Sequence, residues 1–313
     1  YPYGSTAAHI IGWVGPVTCN NQLFQNDPLA KYLSGEVCGK ENGIEYIYEP
    51  RLRGRRGKIS YDIDQRPVKK IKTRFGKDVQ LTIDLELQQQ IERRLKDCSS
   101  NRNCASPIAA AVIDVASSEV LVLISLPSYD LNRIRYNYGE LVQTKTRPLL
   151  NRAINKQYPP GSIAKPFILV AGLTSEKIKA GTVISCPARK APDAWPNCWI
   201  YNRYRTGHDS LFAHSGGNCA RNALKGSCNI YFSQLAEQIP PDILQNWLLK
   251  FGYGKNPFKL PSTKEDNMHR EIRQLPGIVY SGRKNRPNRE RIPPIRKNER
   301  RWFGIGQGNF RIT

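Results

Sequence analysis

No stretch of this 313-residue sequence is apolar for long enough to cross a membrane. The longest candidates, IAAAVI (108–113) and VLVLISL (120–126), fall far short of the roughly 18–20 residues a spanning helix needs. There is a single methionine, Met268, and none at the first position. The expectation is therefore a fragment or processed product whose signal or anchor lies upstream of this sequence. Acidic residues are scarce: 26 Asp and Glu stand against 48 Lys and Arg, a formal net charge of +22. Aromatic residues are scarce where that charge is densest. Residues 51–77 hold eleven Lys/Arg and two Asp, with only Tyr61 and Phe75 as aromatics; residues 283–301 hold nine Lys/Arg, two Glu and one proline pair, with no aromatic. Nucleic-acid modules interleave basic residues with stacking aromatics. The pattern argues against nucleic acid as a partner and for solvated basic loops or ribbons facing an anionic surface. Apolar content of 39% with 24% charged residues still describes a folded globular chain, of one large domain or two modest ones.

What is present has a clear order. Residues 1–75 carry short apolar pieces broken by Gly and Pro, such as AAHIIGWVG (7–15) and GIEYIYEPRLRG (43–54). They predict short strands and turns in a small, mostly β domain. The character changes near Gly76. VQLTI (79–83) alternates as a strand, and Asp84 can cap a helix carrying Leu87, Ile91 and Leu95 on one face. IAAAVI and VLVLISL flank the turn Ala116-Ser117-Ser118-Glu119 and predict an antiparallel hairpin. Helices follow at about 162–175, 218–225, 229–239 and 243–251, the last with Asp242 as cap and Gly252 as stop. The expected architecture is α+β: an antiparallel sheet with helices over 76–313, after the small domain at 1–75.

The sharpest chemistry lies in YPPGSIAKPF (158–167). Ser162 and Lys165 are one helical turn apart on one face. Pro166 is tolerated only in a first turn, which places Ser162 at a helix N-terminus, where free N–H groups favour a developing alkoxide. A neutral Lys165 can accept the serine proton if burial lowers its pKa. Ser227-Cys228-Asn229 opens the next apolar helical segment and adds a second hydroxyl and an amide. A serine–lysine pair followed by S-x-N is the order of the acyl-serine enzymes that recognise penicillin.

On these and further segments the chain resembles the class B penicillin-binding proteins, of the elongation type known as penicillin-binding protein 2. QYPPGSIAKP is similar to their "PPGS-x-x-KP", AAVIDVASSEVLVLISLPSYDLN to "VVIDVxTGEVLAMxSLPSYDPN", and LTIDLELQQQIE to "LTIDxxLQxxIE". YPYGSTAAHIIGWVG and GIEYIYEPRLRGRRG resemble pedestal sequences, and GIGQGNFRIT (304–313) resembles "GIGQGxLxVTPLQ". The resemblance implies a penicillin-binding-protein/β-lactamase-like transpeptidase domain over 76–313 and part of a dimerisation-type pedestal over 1–75. It implies a peptidoglycan D,D-transpeptidase on the periplasmic side of the bacterial inner membrane. Ser162 would be the nucleophile and Lys165 the base, with Ser227 relaying a proton and Asn229 holding the donor peptide. Its implied partners are peptidoglycan stem peptides, β-lactam antibiotics and a membrane glycosyltransferase of the elongation machinery. The family's third motif, K-T-G or K-S-G on a strand, has no counterpart after residue 229; the family places it beyond the GQG segment, and it is expected beyond Thr313. The chain by itself is therefore expected to be inactive or poorly folded. Two other readings remain at this point: a β-lactamase or β-lactam sensor of the same fold, and a non-catalytic anionic-polymer-binding homologue.

There are eight cysteines, at 19, 38, 98, 104, 186, 198, 219 and 228. In an oxidising envelope Cys19–Cys38 and Cys98–Cys104 are candidate disulfides. The other four fall near His208 and His214, and thiolates with an imidazole suit a closed tetrahedral Zn²⁺ site. Members of the resembled family carry structural zinc in this region, and the match implies Cys186, Cys198, His214 and Cys228 as ligands. The histidine loop is longer than the family's, which leaves His208 as the alternative to His214 and Cys219 as a spare thiol. The rival reading is two disulfides, Cys186–Cys198 and Cys219–Cys228.

Overall fold

Asp84 caps the first long helix: its Oδ1 accepts from the Leu87 N–H at 3.0 Å. The computed structural model describes residues 1–17, 27–40, 43–100, 107–256, 274–282 and 292–313, without the side chains of 98–100. Cys19, Cys104, the Cys98 side chain and residues 283–291 of the second basic stretch lie outside what is described. The chain forms two compact units, one built on Tyr1–Lys156, the other on Gln157–Pro257 and Leu275–Thr313. Among the described residues no helix is long and apolar enough to cross a membrane.

The first unit begins with α1 (Ala8–Ile11) and the antiparallel pair β1 (Val14–Pro16) and β2 (Val37–Gly39). Then come α2 (Ile44–Ile47) and α3 (Glu49–Arg53). The strands expected in AAHIIGWVG and GIEYIYEPRLRG are thus largely one-turn helices; β1 begins at the end of the first segment, and the second holds no strand. Ile44 and Ile47 stand at helical spacing, a signal that so short a window shares with a strand. Cys38 is buried and disulfide-bonded. Most of the first basic stretch forms an exposed ribbon, β3 (Lys58–Tyr61) against β4 (Pro67–Ile71), as its composition predicts.

Helix α4 (Leu85–Ser100) lays Leu87, Ile91 and Leu95 against Val122, Ile124 and Leu126 of a hairpin. That hairpin is β5 (Ile108–Ile113) and β6 (Val120–Leu126), antiparallel with Ile108 opposite Leu126. The turn forms as expected: the Asp114 carboxylate accepts from the Ala116 and Ser117 N–H groups. The strand expected at 79–83 does not form. Its place beside β6 is taken by single bonds, from Thr82 Oγ1 to Val120 O and from Asp84 N to Leu121 O. The buried Gln88 amide then both donates to and accepts from the Leu123 backbone. These contacts occupy the β6 edge without a ladder. Helices α5 (Ile134–Gln143) and α6 (Arg152–Asn155) complete the unit.

The second unit is helical and carries the larger core. A 3₁₀ turn (Gly161–Ala164) leads into α7 (Lys165–Thr174). There follow α8 (Trp199–Tyr204), α9 (His208–Leu211), α10 (Ala220–Lys225), α11 (Asn229–Gln238), α12 (Pro241–Lys250) and α13 (Arg300–Phe303). Ile168 and Ala171 of α7 pack with Phe232 and Leu235 of α11 and Leu244 and Leu248 of α12. Asp242 lies in the first turn of α12 but does not cap it; the cap position is Pro240, and the turn residue Gly252 (φ +89°) follows the helix as expected. Arg300 and Arg301, read as solvated, are tied instead to Glu237. The fold class is α+β as expected, with the antiparallel pairs in the first unit and the helical core in the second.

Candidate active site

Backbone chemistry fixes the turn that presents Ser162. Pro159 and Pro160 lead into Gly161, whose φ of +62° is left-handed and costs glycine nothing. Helix α7 then starts at Lys165 with Pro166 in its first turn, the placement proline requires. Gly161 N–H donates to Gly306 O at 2.8 Å, and a Cβ on Gly306 would stand 2.1 Å from Gly161 O. Just upstream, Tyr158 and Ile312 exchange two backbone hydrogen bonds. The GIGQGNFRIT segment therefore braces the serine turn through main-chain contacts that leave no room for a side chain.

Lys165 is fully buried. Its Nζ donates to Ser227 O at 2.7 Å, Ser227 Oγ at 2.9 Å and Asn229 Oδ1 at 2.8 Å, matching the three protons of an ammonium. Burial still lowers its pKa to about 8, against an opposing pull from Cys228 and Cys198. About a tenth of the side chain is then neutral at pH 7. Ser227 Oγ donates to Ser162 Oγ at 3.0 Å, and Ser162 is exposed. A continuous proton path therefore runs Ser162–Ser227–Lys165. With the ammonium charged, the donors point outward to Ser162. With the amine neutral, the same three atoms can carry the Ser162 proton inward. Ser227 holds φ +50°, a strained value for a residue with a side chain. All four residues singled out for catalysis by the sequence meet here.

Cys228, between Ser227 and Asn229, points into a second cluster. The ligand atoms of Cys186, Cys198, His208 and Cys228 lie within 4.8 Å of one another, and all four residues are buried. His208, not His214, is the histidine. Its Nδ1 is 3.5 Å from Cys186 Sγ and 3.2 Å from Cys198 Sγ, whereas His214 is exposed. The reason is local. Gly207 packs so tightly on the Cys186 carbonyl that a Cβ would lie 2.2 Å from its oxygen. Asp209, in the same turn as His208, accepts from Cys186 N at 2.8 Å and Ser185 Oγ at 2.6 Å. The two disulfides of the rival reading do not form: Cys186, Cys198, Cys219 and Cys228 are all free, and Cys219 lies outside the cluster.

The donor set suits a tetrahedral ion. Zinc–sulfur bonds of about 2.3 Å put ligand atoms roughly 3.8 Å apart, close to the spacing found. His208 Nε2 faces Gly226 O at 2.9 Å, and a carbonyl only accepts, so this nitrogen carries the proton and Nδ1 faces the thiols. Burial pulls the His208 pKa down, but the facing Cys198 and Cys228 outweigh it and raise it to about 10. The Cys186 and Cys228 thiols hold Cys198 well below the usual thiol range, against burial. Cys228 Sγ accepts from Tyr231 N and Asn218 Nδ2, both at 3.4 Å.

Sequence reasoning missed three supports. Gly226 O accepts from Trp199 Nε1 as well as from His208, and a Cβ on Gly226 would meet the His208 ring at 2.7 Å. Asn197 O accepts from Asn229 Nδ2 at 3.0 Å while Asn197 Oδ1 accepts from Ala191 N at 2.8 Å. Gly306 backs Gly161. Only Gly306 had a sequence signal, in the repeated glycines of GIGQG; the other two act through backbone carbonyls or loop geometry, which residue type does not encode.

Residues 108–275 match the model of the penicillin binding protein transpeptidase domain, and residues 1–81 that of the penicillin-binding protein dimerisation domain. The chain is 33% identical to peptidoglycan D,D-transpeptidase MrdA of Escherichia coli K12 over 266 residues, 81% of this chain and 39% of that protein. It is 35% identical to MrdA of Haemophilus influenzae over 270 residues, 81% and 38%. It thus spans about two fifths of the length of these curated relatives. Among solved structures it is similar to Pseudomonas aeruginosa PBP2 in complex with WCK 5153 (TM-score 0.69, 27% identity, 100% of this chain and 61% of that one). The fold is shared also with PBP2 of Helicobacter pylori in complex with MreC (TM-score 0.73, 24% identity, 100% and 54%).

Proposed function

The chain belongs to the penicillin-binding protein transpeptidase family, and on that premise we propose that it serves a peptidoglycan D,D-transpeptidase of cell elongation, working through an acyl-serine intermediate. The observation that carries this reading is the hydrogen-bonded path from exposed Ser162 through Ser227 to buried Lys165. Neutral Lys165 takes the Ser162 proton, and Ser162 Oγ attacks the penultimate D-Ala carbonyl of a stem peptide. The helix-start N–H of Ser162 helps to hold the oxyanion. The C–N bond breaks, and the departing D-Ala amine takes the proton back from Lys165 by way of Ser227; a neighbouring stem's neutral amine then attacks the ester carbonyl, its proton passes through the same groups to Ser162 Oγ, and the ester C–O bond breaks. Asn229, pinned by Asn197, presents its remaining amide hydrogen to the donor peptide.

Cys186, Cys198, His208 and Cys228 would hold a structural Zn²⁺, which supplies no chemistry to the reaction; the cluster keeps Ser227 and Asn229 in register. The site is read as facing the periplasm at the inner membrane, with a membrane glycosyltransferase as partner. The match of residues 1–81 to a dimerisation domain supports a transpeptidase over a β-lactamase or sensor.

Fluorescent penicillin is the direct test. The intact protein is expected to be labelled at Ser162 and to release the adduct slowly, and Ser162→Ala should abolish labelling. A folded protein that takes no label, or turns penicillin over rapidly, contradicts the proposal. Metal analysis before and after chelation tests the zinc; a preparation with no stoichiometric zinc would exclude it.

A further inference from the structure

Helix α11 has a second working face. Ile230, Gln234 and Glu237 recur at helical spacing along it and line a cavity of about 490 Å³ whose opposite wall is the loop from Ser185 to Trp195. Ser162, Lys165 and Ser227 do not line it. Its apolar surface comes from Pro187, Trp195 and Ile230. Trp195 is held in place by Arg301, whose guanidinium lies 4.5 Å from the ring centroid.

The unpaired charges around this floor are of one sign. Glu237 is the only carboxylate in the lining, and it is already held by Arg301 at 3.0 Å and Arg300 at 3.5 Å. Arg189 and Lys190 are exposed at the cavity, and among the described residues neither side chain has an ion-pair or hydrogen-bond partner. Gln234 offers an amide that can both donate and accept. Two unpaired cations, a two-way amide and an apolar floor fit a short peptide carrying carboxylates: its charges go to Arg189 and Lys190, its backbone to Gln234, its small side chains to Trp195 and Ile230.

We propose that this cavity binds an anionic peptide segment at a place distinct from the acylation site. Its identification with a peptidoglycan stem rests on the function proposed above. The cavity is tied to that chemistry through Asn197, which bonds both the cavity wall at Ala191 and the Asn229 side chain. Asn229 also directly precedes Ile230, so a peptide seated here stiffens the loop that presents Asn229.

The probe is N-acetyl-Ala-Glu, a dianion, titrated into the intact protein by ligand-observed NMR, with its neutral diamide as the control. The dianion should bind at least about tenfold more tightly than the diamide, and Arg189→Ala/Lys190→Ala should remove that preference. Labelling of Ser162 by fluorescent penicillin should be unchanged in the double variant, which also reports that it is folded. Undetectable binding at about 10 mM probe, or binding that the double variant leaves intact, overturns the proposal. If the dianion binds as expected while Ser162 takes no penicillin, the peptide site stands and the transpeptidase reading fails.

Discussion

At the scale of single residues, the proposed mechanism makes Lys165 the group that sets the pH at which the serine reacts. Its pKa, pushed down to about 8 by burial, lies above neutrality, so raising the pH removes the proton that blocks it. Penicillin acylation rates are expected to climb through pH 7 and level off above about pH 8–9. Lys165→Arg, which stays protonated throughout, should slow acylation by about 10²–10⁴-fold and flatten the profile. A flat profile in the unaltered protein would remove Lys165 as the base. Gly306 is the other decisive position: φ +67° and a Cβ contact of 2.1 Å with Gly161 O both forbid a side chain. Gly306→Ala should displace the serine turn, lowering stability by about 1–3 kcal/mol and slowing acylation together. Thermal melts and labelling rates measure the two effects, and an unchanged labelling rate would show that the brace is dispensable.

Among the elements, the short connection from α10 to α11 joins the two chemistries. Gly226 O is shared by His208 and Trp199, Cys228 reaches the thiol cluster, and Ser227 and Asn229 face Lys165. Gly226 has an ordinary negative φ, so Gly226→Ala acts by contact alone, chiefly on the His208 ring at 2.7 Å and also on the Phe212 ring at 3.0 Å. Zinc affinity, measured by competition with a chelating dye, should fall about 10–100-fold. Equal affinity would mean that the Gly226 contact does not orient His208. This connection also shows what a sequence can reveal. Ser162, Lys165, Ser227 and Asn229 were legible because motif spacing maps directly onto helix starts. The thiols were legible as types. His208 and His214 were not separable, because they lie six positions apart in one loop and their difference arises in the fold, where Gly207 and Asp209 dock one turn against Cys186. The strand read at 79–83 failed for a related reason: alternation reports a half-buried edge, and here side chains and single amides fill that edge.

For the whole molecule, part of the +22 charge has a place. The exposed β3–β4 ribbon carries Lys58, Arg66, Lys69 and Lys70, with Lys72 just beyond it, and these side chains support no core. Replacing Lys69, Lys70 and Lys72 by Glu should change stability by no more than about 0.5 kcal/mol. It should weaken co-sedimentation with anionic phosphatidylglycerol vesicles and make the remaining binding less salt-sensitive. Unaltered sedimentation would leave the charge as solubility alone. Composition located this surface correctly. The contacts of α4 with the β5–β6 hairpin are packing of a kind that leaves no mark in local charge.

If the thiol cluster holds the proposed metal, the position of Cys228 between Ser227 and Asn229 would make the reactive loop observable by colour. Cobalt(II) exchanged into a site of three sulfurs and one imidazole absorbs visible light, and its bands shift with small changes in sulfur geometry. Acylation of Ser162, two hydrogen bonds from Lys165 and one residue from that sulfur by way of Ser227, would then be readable as a spectrum in real time, with no label on the antibiotic.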